Sequence, residues 1–157
     1  MKRGLAGILA FSLVLLTGCG DNEVSATADN LPTVTINMGE APTIGAPSGT
    51  PPTTLESKDI VVGTGAEVSS TSIITFHYTL MTWSNGALIE SSWTSGTPAT
   101  FPLTQLIVGW QQGIPGMKVG GRRLLVVPPD LGYGAQGSGP VGPNETLIFV
   151  MDIVSVA

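Results

Sequence analysis

Two stretches of strict alternation constrain this chain more than any other feature. From Ser72 to Leu80, Ile74, Phe76, Tyr78 and Leu80 fall on one side of an extended backbone, and Ile73, Thr75, His77 and Thr79 on the other. Within Glu145 to Val156, the residues Leu147, Phe149, Met151 and Ile153 repeat the pattern. A period of two marks a strand with one buried face, because successive side chains leave a pleated backbone on opposite sides. The 21 glycines and 12 prolines punctuate the chain too often for long helices. Further strands are expected over Lys58–Val62, stopped by Gly63-Thr64-Gly65, and over Ala87–Ser91, after a Ser84-Asn85-Gly86 turn with the Asn-Gly hairpin signal. Arg123–Val127, closed by Pro128-Pro129, is another. Helical spacing is confined to Val108–Ile114, about two turns, in which Trp110 and Ile114 can both face a sheet. The expected fold is α+β: a curved antiparallel β-sheet wrapped around one short α-helix.

The amino terminus has a different character. Lys2 and Arg3 precede an apolar run from Leu5 to Leu16, the pattern of an export signal. The run falls short of the roughly 20 apolar residues of a membrane span. It ends in Leu16-Thr17-Gly18-Cys19, which resembles a bacterial lipobox and implies diacylglycerol on the Cys19 thiol with cleavage before it. Acyl chains hold a protein firmly, each buried methylene contributing about 0.8 kcal/mol. Residues 1–18 are thus expected to be a signal peptide. Residues 19–54 read as a lipidated, disordered tether rich in Pro, Thr and Ala, and residues 55–157 as the folded domain. Leu31, Val34 and Ile36 are too sparse for a core, and four prolines between Ala41 and Pro52 favour an extended spacer. A short strand around Thr33–Asn37 is allowed. The expected location is the periplasmic side of the cell envelope, and Gly20 after the cysteine points to the outer membrane.

Several function classes drop out. The formal charge is −5, and it becomes more negative once Lys2 and Arg3 are removed. No basic stripe remains to neutralise phosphates, so nucleic acid is not an expected partner. One cysteine forbids an intrachain disulfide, and one histidine, His77, makes a zinc cage implausible. The segments Gly132–Gly137 and Gly137–Gly142 each fit GxGxxG, but no helical pattern follows either, so no dinucleotide site is expected.

An ordered set of segments carries the positive signal. Phe76-His77-Tyr78-Thr79, Ile89-Glu90-Ser91-Ser92, Ile107-Val108-Gly109-Trp110 and Gly116-Met117-Lys118-Val119-Gly120-Gly121 come first. Arg122-Arg123, Pro128-Pro129-Asp130-Leu131-Gly132-Tyr133-Gly134-Ala135 and Thr146-Leu147-Ile148-Phe149 follow. Together they resemble the FK506-binding-protein (FKBP) family of peptidyl-prolyl cis-trans isomerases, from about Leu55 to Ala157. The resemblance implies an apolar pocket with Tyr78 on one wall, Trp110 as its floor, and Leu106 and Ile107 as the apolar pair whose backbone meets the ligand. It implies that the Tyr133 hydroxyl bonds a substrate carbonyl, and it places Phe149, Val141 and a buried Phe101 around the site. Ile89 and Glu90 stand where the family usually has Phe-Asp. Ala99 replaces an aromatic, Ser95 falls near the place of an arginine, and the Leu103–Leu106 connection is shorter. These departures keep the floor and enlarge two walls.

The implied chemistry needs no nucleophile, metal or cofactor. Rotation about a prolyl amide faces a barrier of roughly 18–20 kcal/mol from partial double-bond character. A pocket that binds the twisted amide better than the planar one lowers it, and ten-thousandfold acceleration requires about 5–6 kcal/mol of differential binding. On this reading Tyr78, Ile107, Trp110 and Phe149 hold the proline ring, with Tyr133 and the Ile107 N–H orienting its flanking carbonyls. Glu90 takes the aspartate's place. Expected partners are proline-containing polypeptides, an FK506-like macrolide and the membrane, with the protein a monomer. The competing readings are a weakly active proline-recognition or chaperone-like module and a structural lipoprotein.

Overall fold

The computed structural model describes residues 24–25 and 30–157. The expected signal peptide and Cys19 lie outside the described residues. A two-residue pair joins β1 (Val24–Ser25) to β2 (Val34–Thr35). The main sheet holds β3 (Glu56–Val61), β4 (Ile73–Thr82), β5 (Leu88–Ser91), β6 (Ala99–Pro102), β7 (Arg122–Val127) and β8 (Leu147–Val156). Its order is β3-β7-β8-β4-β5, every pair antiparallel, with β6 also on β4. The first half of β4 pairs with β6 (Phe76 opposite Ala99) and the second with β5 (Leu80 opposite Glu90), so two short strands share one edge. The β4–β5 reversal has the expected Asn-Gly chemistry. Gly86 sits at φ +64, and the Asn85 side-chain oxygen accepts from the Thr82 hydroxyl and the Ala87 N–H.

The helix α1 (Val108–Gly113) lies across one face of this sheet. Trp110 and Ile114 point into the core with Ile74, Phe76, Leu80, Leu125, Val127, Leu147, Phe149, Met151 and Ile153, the inward sets of β4, β7 and β8. Glycine permits that close approach: a Cβ on Gly109 would come within 2.5 Å of Val127, and one on Gly113 within 2.7 Å of Leu125. The helix end is tied down by Arg123, which donates to the Gly113 carbonyl at 2.7 Å while its fork grips Asp59. The α+β fold expected from the alternation is the one observed. Sequence pattern did not reveal β6, whose four residues lack a clear period.

The other face of the sheet differs from expectation. Leu124 and Val126 on β7 and Ile148 and Val150 on β8, the outward sets, are 0–1% exposed. They pack with Trp83 and with Val34, itself 1% exposed, while Leu31 and Ile44 close the flank. Residues 30–54, expected as a disordered spacer, therefore run as a strap over the back of the sheet. Scattered single apolar residues sufficed because the surface they cover is already a continuous apolar layer. The strap is pinned by the Arg122 guanidinium, which donates to the carbonyls of Thr35 and Glu40 at 2.9 and 2.7 Å while held by Asp152. Among the described residues no helix is long and apolar enough to cross a membrane.

Candidate functional site

The helix, the β4–β5 pair and the loop after β7 converge on Trp110. Its indole, 5% exposed, meets three rings edge-on: Phe76 at 5.2 Å, Phe149 at 5.0 Å and Tyr78 at 5.9 Å between centroids. Interplanar angles of 70–85° make these edge-to-face pairs, the favoured arrangement in which the positive edge of one ring meets the negative face of the other. Strand period explains the set: Phe76 and Tyr78 share the inward face of β4, and Phe149 holds the inward face of β8 opposite Leu80. Half-buried Tyr78, Ile89, Ala99, Leu106, Ile107, Leu131 and Tyr133 pack against the core cluster that contains this indole, and Val141 is buried within the cluster. The indole N–H is buried without an acceptor among the described residues.

Polar groups gather on one side. The Tyr78 hydroxyl donates to the carboxylate of Glu90, which is exposed on β5. Burial first, then that bond and the Glu90 charge, push the Tyr78 phenol far above its ordinary 10.0. Burial, followed by the charge of Glu90, also raises the Tyr133 phenol. Both phenols are thus neutral donors at any physiological pH, beside one carboxylate. Among the described residues no group of three or more His, Cys, Asp or Glu could hold a metal ion.

Second-rank contacts hold these parts in place. Ser92 accepts the Tyr78 backbone N–H at 2.9 Å and bonds His77 Nδ1 at 2.9 Å, locking the end of β5 onto β4. His77 stacks on Trp93 at 3.9 Å, on the face of β4 away from the indole. Gln111 donates to the Leu106 carbonyl at 2.7 Å and so fixes the short Leu103–Ile107 connection. Sequence reading missed Phe76, Ser92 and Gln111 as site residues. For Phe76 the signal was present, since its alternation with Tyr78 places both on one face; nothing in composition points to Gln111.

Of the residues named from the sequence, Tyr78, Glu90, Ile89, Leu106, Ile107, Trp110, Tyr133, Val141 and Phe149 come together here. Phe101 does not fit the buried aromatic the resemblance implied. It is 47% exposed on β6, opposite Ile74 near the start of β4. The β6 residue opposite Phe76, whose ring meets the indole, is Ala99. A cavity of about 620 Å³ lies elsewhere, between Thr50–Thr53 of the strap and the Pro128–Ala135 loop, and contains none of the aromatic residues of the site.

Residues 65–154 match the family described as FKBP-type peptidyl-prolyl cis-trans isomerase. A Corynebacterium glutamicum protein named "Probable FK506-binding protein" is 46% identical over 116 residues, covering 74% of this chain and 98% of that one. The "FK506-binding protein" of Streptomyces anulatus is 45% identical over 121 residues, with 74% and 98% covered. The "Outer membrane protein MIP" of Legionella longbeachae is 41% identical over 106 residues, covering 67% of this chain and 45% of its own length. Among solved structures, AtFKBP13 superimposes with a TM-score of 0.61 at 35% identity, covering 66% of this chain and 93% of that one. FkpA of Escherichia coli gives 0.62 at 31%, covering 65% and 47%.

Proposed function

Since this chain belongs to the FKBP-type peptidyl-prolyl cis-trans isomerase family, we propose that its isomerase site is the aromatic basin over Trp110 and that it serves exported proteins at the cell envelope. The reaction it catalyses is rotation about an Xaa–Pro amide, with no bond made or broken. The observation that carries the site assignment is the indole edged by Phe76, Tyr78 and Phe149, with two neutral phenols beside it. An apolar floor of this kind takes a proline ring and replaces water, which favours the planar, dipolar amide. The Tyr133 hydroxyl and the Ile107 N–H orient the flanking carbonyls. Glu90, held by Tyr78, places negative charge at the rim, one methylene farther out than an aspartate would.

Several finer readings rest on sequence. Leu16-Thr17-Gly18-Cys19 supports cleavage and lipidation at Cys19, with anchoring on the periplasmic side and the outer membrane preferred. The name of the Legionella longbeachae relative supports an envelope location. Clients are proline-containing polypeptides, FK506-like macrolides are competing ligands, and the protein acts as a monomer. A slow proline-recognition module remains the second reading, favoured by Ala99, which leaves a wall without its aromatic ring.

Isomer exchange of a short Xaa-Pro peptide tests the assignment. Wild-type protein should accelerate exchange well above buffer. Tyr133→Phe should lower kcat/KM about tenfold, the equivalent of one hydrogen bond of about 1.4 kcal/mol, and Trp110→Leu should abolish the acceleration. Wild-type exchange at the buffer rate removes the enzyme reading, and an unaffected Tyr133→Phe removes that residue's role.

A further inference from the structure

Residues 30–54 have the composition of a tether, yet they are fastened to the domain at three places. Val34 is buried among Leu124, Val126, Ile148 and Val150. Arg122, itself 0% exposed and paired with Asp152, donates to the Thr35 and Glu40 carbonyls. Trp83 Nε1 donates to the Gly49 carbonyl at 3.3 Å. The strap also closes on itself: the Thr35 N–H donates to Thr43 at 3.1 Å and the Gly45 N–H to Thr33 at 2.8 Å. Buried apolar contacts combined with charge-assisted bonds do not pay out like flexible chain. We infer that the isomerase domain is leashed to the bilayer by no more than the chain between Cys19 and Asn30, so that its pocket works on polypeptide segments at the membrane surface. This inference rests on the lipidation of Cys19 proposed above.

The lengths decide the matter. Eleven peptide steps separate Cys19 from Asn30, and at about 3.3–3.6 Å per step they span at most about 40 Å, an upper bound because Val24 and Ser25 within them already pair with β2 of the strap. A tether running free to Thr54 would have 35 steps and reach roughly 115–125 Å. A folded body of this size has a radius of gyration of about 14 Å, so the short leash allows excursions of only about one domain diameter. Shrinking the reach threefold cuts the accessible volume by more than about tenfold, and the effective concentration of bilayer-bound chains rises in proportion. Adsorption cannot substitute for the leash. Residues 19–157 carry four Lys and Arg against eleven Asp and Glu, a balance that anionic lipid repels.

Two measurements on the full, lipidated chain in phosphatidylethanolamine–phosphatidylglycerol vesicles test this. Hydrogen exchange at the Thr35 and Gly45 amides should be slowed at least about a hundredfold against a free peptide of residues 30–54; exchange at the peptide's rate overturns the strap. With Cys19 acylated, Ser70→Cys supplies a single thiol for a donor dye, read against an acceptor on lipid headgroups. Inserting about 24 flexible Gly/Ser residues between Gly20 and Asp21 should lower transfer about twofold, and unchanged transfer overturns the leash. The mass of the amino-terminal peptide separates the two ideas: a protected strap on an unlipidated chain overturns the anchor and leaves the strap standing.

Discussion

Replacing Arg122 with methionine removes the clamp between sheet and strap. The guanidinium gives Nε and Nη2 to the two oxygens of Asp152, both at 2.7 Å, and Nη1 and Nη2 to the strap carbonyls. The paired side chains are 0% and 6% exposed. Methionine keeps the length and loses every donor, stranding a buried carboxylate and two carbonyls together. Removing one partner of a buried ion pair costs about 3–5 kcal/mol, because the remaining charge has no water to turn to. That is a large part of the roughly 5–15 kcal/mol that holds a domain folded, and for a chain of this length it lowers Tm by roughly 10–20 °C. Arg122→Met with Asp152→Leu should recover at least half of the loss, since a packed apolar pair of similar volume is close to neutral. The strap carbonyls stay unpaired in the double variant, so amide protection at Thr35 should not return with stability. Urea unfolding of the three proteins reads the energies. A single-variant loss below about 1 kcal/mol, the scale of a solvent-exposed pair, or a double variant no better than the single, refutes the clamp.

Other consequences follow from the same geometry. Both tyrosines of the chain lie in the candidate site beside Glu90, so a phenolate absorbance titration reports that region alone. Their native values are raised, so their contribution to stability is complete below the unfolded value near 10.0 and is lost as pH rises through the native values. Glu90→Gln should lower the Tyr78 value by removing a neighbouring charge, and an unchanged or higher value would contradict the Tyr78–Glu90 bond. Gly109→Ala should destabilise by about 1–3 kcal/mol, because its Cβ would press on Val127 at 2.5 Å, and should depress isomerase activity by displacing Trp110; wild-type stability in denaturant would count against the close approach. Ala99→Phe should strengthen FK506-like ligand binding about tenfold by supplying an aromatic wall opposite Phe76, as read by tryptophan fluorescence, and unchanged or weaker binding would show that position 99 is not a wall of the ligand site.

The inward face of this domain was legible in sequence because strand period and core coincide there. Ile74, Phe76, Tyr78 and Leu80 on β4, and Leu147, Phe149, Met151 and Ile153 on β8, pack as their alternation requires. Trp110 and Ile114 face the sheet as their spacing implied. The candidate site residues could be named because they lie in short segments that occur along the chain in the order the family resemblance implies. Local pattern was silent where a residue's fate depends on what lies across from it. Ile148 and Val150 look like the outer half of an alternation, and only the strap buries them. Val34 looks like an isolated residue in a proline-rich run, and it is among the most buried side chains described. Phe101 shares the apolar character of a pocket residue, yet its place on β6 leaves it 47% exposed. Sequence alone determined which faces are apolar, because that is a property of each strand by itself. Tertiary structure decided what covers each face, because burial belongs to pairs of surfaces and the partner here comes from a segment whose own composition resembles flexible chain.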